Sequence, residues 1–69
     1  MSAEIQITVN GESRNIPANT SITALLSTMN LKPEKVAIEL NRRLVRTAQY
    51  ETELKQGDKI EIVTFVGGG

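Results

Sequence analysis

One stretch of this sequence, and only one, carries a helical apolar period. Ile22, Leu25, Leu26 and Met29 recur at i, i+3, i+4 and i+7, which places them on one stripe of an amphipathic helix. Asn19-Thr20-Ser21 stands just before it, three side chains able to accept a hydrogen bond from a helix N-terminus. Asn30 suits a left-handed close, and Pro33 forbids continuation. The spacing predicts a helix over 22–29, too short to hold without tertiary packing. Elsewhere the apolar period is two. Ile5, Ile7 and Val9 alternate with polar residues, Asn10-Gly11 is a strong hairpin signal, and Glu12 to Ile16 can return as a second strand ended by Pro17. Val36, Ile38 and Leu40 predict a third strand, Leu44-Val45 a short fourth after the polar turn Asn41-Arg42-Arg43. Lys59 to Val66 predicts the last strand, with Ile60 and Ile62 facing the core. Thr47 to Leu54 has no clean period, and one helical turn near Ala48 to Tyr50 is expected there. Gln56-Gly57-Asp58 reads as a turn. A single apolar helix stripe must be buried by one face of a sheet. The expected class is α+β, a mixed sheet packed on one main helix, with Leu25 and Leu26 at its centre.

Composition narrows what holds this together. The 69 residues contain no Cys and no His, so neither a disulfide nor a zinc site can staple the domain. A chain of this size makes one domain with a small core, and apolar packing and backbone hydrogen bonds must suffice. The same absences remove a thiol nucleophile, an imidazole base and a dithiol redox pair. Eight basic and eight acidic residues balance, so there is no large basic excess to suit nucleic acid. Tyr50 and Phe65 are the only rings, too few for stacking on single strands. No apolar run approaches the roughly 20 residues of a membrane span. The N-terminus does not read as a signal peptide, so a cytoplasmic location is expected.

Few residues are left to carry function. Glu51 with Glu53 in the irregular segment, and Glu34 with Glu39 flanking the third strand, are candidate carboxylate pairs, and nothing in the sequence forces the burial or close like charge that catalytic carboxylates need. They read as solvated. Arg42, Arg43 and Arg46 form the only basic cluster, suited to an acidic partner, to a phosphate or to plain solubility. With Ile60 and Ile62 facing the core, Glu61, Val63 and Phe65 fall on the opposite face. Val63 and Phe65 then form either a second small core under the irregular segment or a docking patch. Gly67-Gly68-Gly69 follows the last strand directly. It is no phosphate loop, which needs a helix behind it. Three extended residues reach about 10 Å, and without Cβ atoms they can enter a narrow channel. A frayed terminus is the alternative. The expected division is a domain over 1–66 and a flexible tail over 67–69.

Several segments together resemble the ThiS family of thiamine-biosynthesis sulfur carriers: Val36-Ala37-Ile38-Glu39-Leu40-Asn41, Leu44-Val45, Gln49-Tyr50, Gln56-Gly57-Asp58, Ile60-Glu61-Ile62-Val63 and Phe65-Val66-Gly67-Gly68-Gly69. The likeness spans nearly the whole chain. It departs at Arg46-Thr47, where many such chains carry Pro and then a basic residue. The resemblance implies a β-grasp, ubiquitin-like fold and a chain that is a protein substrate, not an enzyme, with no catalytic residue, metal or cofactor of its own. It implies that a ThiF-type enzyme adenylates the Gly69 carboxylate with Mg-ATP. A cysteine desulfurase route then supplies sulfur, and the Gly69 thiocarboxylate delivers it to thiazole synthase, ThiG. Gly67 and Gly68 would lie in the partners' active sites, with Val63, Phe65, Arg42 and Arg43 as docking residues. The terminal Gly-Gly is shared with MoaD-like carriers for molybdopterin synthase and with ubiquitin-like modifiers, and a plain interaction module is a further alternative. The segment around Asn41 favours ThiS.

Overall fold

The computed structural model of the chain describes residues 3–65. The tail at 67–69 and the domain boundary expected at 66 lie outside these residues. Strands β1 (Glu4–Val9) and β2 (Glu12–Pro17) precede helix α1 (Ile22–Thr28). Strands β3 (Val36–Leu40), β4 (Arg43–Val45) and β5 (Lys59–Thr64) follow it, with single 3₁₀ turns at Pro33–Lys35 and Thr47–Gln49. The sheet order is β2-β1-β5-β3-β4. β1 and β5 run parallel, and the other neighbours are antiparallel. A five-stranded mixed sheet thus grasps one helix, the expected β-grasp arrangement.

Local chemistry accounts for most element ends. Asn10 and Gly11 sit at φ 49° and 85° between the paired residues Val9 and Glu12, a two-residue hairpin loop with both central residues at positive φ. The Ser21 side chain accepts from the Ala24 N–H at 3.0 Å, capping α1 as its position predicts. At the other end Asn30 is left-handed, at φ 58°. Its N–H donates to Ser27, and the Leu31 N–H reaches back to Leu26, the pair of bonds that closes a Schellman motif. The helix therefore stops at Thr28, one residue earlier than its apolar stripe suggests, with Met29 as the C-cap.

The core is built from both periodicities. Ile22, Leu25 and Leu26 of α1 pack on Ile7, Val9, Ile16, Val36, Ile38, Ile60 and Ile62 of the sheet, all buried. Tyr50 and Leu54 complete it, from the segment that lacks a period. The reason is backbone bonding. The Ile22 and Thr23 N–H groups donate to the carbonyls of Thr52 and Tyr50, and the Leu54 N–H donates to Thr20. The segment over 50–54 thereby satisfies donors that a helix N-terminus leaves open, and it draws Tyr50 and Leu54 under α1.

Candidate functional site

The β1–β5 seam positions the strand that leads to the tail. Only Thr8–Lys59 and Val9–Ile60 pair in register there. Beyond them Asn10 takes over. Its N–H donates to the Ile60 carbonyl at 2.9 Å, its Oδ1 accepts from the Ile62 N–H at 2.7 Å, and its Nδ2 donates to the Ile62 carbonyl at 3.1 Å. The side-chain amide thus stands in for a further strand residue. Asn41 acts alike at the start of β5. Its Oδ1 accepts from the Lys59 N–H at 3.0 Å, and its Nδ2 donates to Asp58 at 3.1 Å. The other Asp58 oxygen accepts from the Lys55 N–H at 2.8 Å. Asn41 and the Gly57-Asp58 turn are therefore one linked unit that anchors β5.

Val63 and Phe65 lie at the far end of that strand. Val63 is 59% exposed and Phe65 56%, so they form no second core. Phe65 N–H donates to the Lys35 carbonyl at 2.9 Å, which carries the pairing with β3 just past β5. Leu44, 68% exposed, shares this open face, because it pairs with Glu39 and Glu39 with Glu61. In sequence Leu44 reads as part of a short fourth strand, with no face assigned to it. The signal for it was the loop Asn41-Arg42, whose two positive φ values, 52° and 71°, set a two-residue hairpin and so the register of β4.

The same register divides the four expected docking residues. Arg43 belongs to β4, not to the turn, and pairs with Leu40, which pairs with Ile60 at the start of β5. Five strand residues, about 17 Å, separate that level from Phe65. Arg43 also falls on the helix side of the sheet with Leu40, whereas Val63 faces away. Arg42 caps the β3–β4 loop. The structure brings Val63 and Phe65 together and sets Arg42 and Arg43 apart from them. Glu34, Glu39, Glu51 and Glu53 are all exposed. Among the described residues no group of three His, Cys, Asp or Glu side chains is placed to hold a metal ion, and no helix is long and apolar enough to cross a membrane.

Comparison with known proteins decides the family. The model of the ThiS family matches residues 7–69. The chain belongs to the ThiS family. A crystal structure of the thiamine biosynthesis protein ThiS from Geobacter metallireducens superposes with a TM-score of 0.72 at 35% identity, covering 94% of this chain and all of that one. A solution structure of a thiamine biosynthesis protein from the same organism gives 0.75 at 32% identity, covering 94% of this chain and 88% of that one. Thiazole synthases of Paramagnetospirillum magneticum and Magnetococcus marinus are 39% and 41% identical over 66 residues, 94% of this chain. The ThiS-family chain spans only a fifth of their length, 20% in each case. A protein of Pyropia yezoensis named ycf40 is 40% identical over 68 residues, covering 97% of this chain and 96% of that one.

Proposed function

We propose that this chain is a sulfur carrier in thiamine biosynthesis, acting in the cytoplasm as a protein substrate with Gly69 as the cargo-bearing residue. The observation that carries this reading is the family match, which runs through Gly67 and Gly68 to Gly69. A carboxylate is a poor acyl donor. A ThiF-type enzyme holding Mg-ATP would join the Gly69 carboxylate to the α-phosphate, releasing pyrophosphate and leaving an acyl-adenylate. The terminal sulfur of a persulfide, supplied through a cysteine desulfurase, would attack the acyl carbon and expel AMP. A thiol would then cleave the resulting acyl disulfide, leaving a Gly69 thiocarboxylate for thiazole synthase. Every catalytic group in this scheme belongs to a partner, which agrees with a chain without Cys or His.

The geometry supports a division of labour on the carrier. Reacting atoms must approach to about 3–3.5 Å in line, so placement of the carboxylate governs the rate. Val63 and Phe65, exposed just before the tail, offer the apolar anchor that registers it. The test is intact mass after incubation with the activating enzyme, Mg-ATP and a persulfide donor. One oxygen should exchange for sulfur at the C-terminus. A single Ala added after Gly69 displaces the carboxylate by up to about 3.6 Å and should abolish the exchange. An extended, untrimmed chain that still gains sulfur would show that the terminus is not the reactive site.

A further inference from the structure

The end of the sheet away from the tail carries an arrangement that the sulfur chemistry does not use. A groove of about 570 Å³ opens between β4 and the segment over 47–52. Leu40 and Val45 supply apolar lining, and Asn41, Arg43, Gln49 and Thr52 supply polar lining, with no carboxylate among the lining residues; Leu44 borders the groove from β4, but its register puts its side chain on the opposite face. Arg42 and Arg46 flank it in sequence and are exposed. The loop itself is strained. The β1–β2 hairpin places Gly11 at its second central position, whereas the β3–β4 hairpin places Arg42 there at φ 71°. A non-glycine residue held left-handed costs of the order of 1–2 kcal/mol, and such outliers cluster at functional positions.

We propose that this groove docks an extended acidic segment of the thiazole synthase that receives the sulfur. The inference rests on the carrier reading above and adds a second contact to it. Three considerations select the occupant. Arg43 presents a planar fork that pairs with a carboxylate through two parallel bonds. Leu40 and Val45 can seat an apolar neighbour of that carboxylate in an extended chain. In two relatives the matched residues form a fifth of a longer thiazole synthase chain, and tethering makes even a weak docking contact effective. The groove lies about 17 Å along β5 from Phe65, so it can hold the synthase while the tail end stays free to enter its active site.

The experiment is calorimetric titration of the full chain into purified thiazole synthase at low and high salt. Wild-type affinity should weaken with salt. Arg43→Glu should raise Kd at least tenfold and flatten the salt dependence, and Arg43→Gln should give a smaller loss in the same direction. If Arg43→Glu fails to melt cooperatively, Arg43→Gln alone decides. Unchanged affinity of the folded variant overturns the docking, as does a larger loss against the activating enzyme than against the synthase. A wild-type chain that gains sulfur but does not bind the synthase overturns the docking alone. A chain that never gains sulfur overturns the carrier reading.

Discussion

Asn10 is expected to be the most sensitive polar position in the domain. β5 is held to β1 by two in-register pairs, and the Asn10 side chain extends the seam by two more bonds, both to the Ile62 backbone. Asn10→Gly is the informative change, because glycine accepts the positive φ and keeps the N–H bond to Ile60, so only the side-chain bonds are lost. Two bonds at about 0.5–1.5 kcal/mol each, with up to about 1 kcal/mol from the freer unfolded chain, give a loss of about 1–4 kcal/mol. In a domain of this size that is a fall in Tm of roughly 4–32 °C. Urea unfolding measures the energy, and amide exchange at Ile62 localises it. The Ile62 amide should exchange much faster than in wild type, while Leu26, in the middle of α1, should follow only the global change. A variant within half a kcal/mol of wild type, with Ile62 still protected, would refute the view that a side chain completes this seam.

Leu25→Ala removes a fully buried side chain and should cost about 2–5 kcal/mol in denaturant unfolding, a large share of the 5–15 kcal/mol typical of a domain; a loss under half a kcal/mol would put Leu25 outside the core. Phe65→Asp should leave the melting temperature within a few degrees of wild type and weaken the complex with the activating enzyme by about 2 kcal/mol or more, measured by titration; an unfolded variant would assign Phe65 a structural role. Arg42→Gly relieves the left-handed arginine, partly offset by the freer unfolded chain, and should stabilise by about 0.5–1 kcal/mol; thermal melts showing a loss would mean the Arg42 side chain supports the fold.

Signals confined to a few neighbouring residues were legible without coordinates. The apolar stripe of α1, the Ser21 cap, the Asn30 close and the Asn10-Gly11 hairpin depend on local dihedral preferences and on donors a few residues apart. The outward face of Val63 and Phe65 followed from period two alone. What required the tertiary structure is set by partners distant in sequence. The parallel place of β5 between β1 and β3 rests on pairing across some fifty residues, which no local pattern encodes. Tyr50 and Leu54 are buried because their segment bonds to the N-terminus of α1, and that segment has no period to announce it. Asn41 and Asp58 read as two turn residues, and only the fold shows them joined. Arg42 and Arg43 lie level with the start of β5 and the Val63–Phe65 pair at its other end, because hairpin register, not closeness in the chain, decides which side chains share a surface.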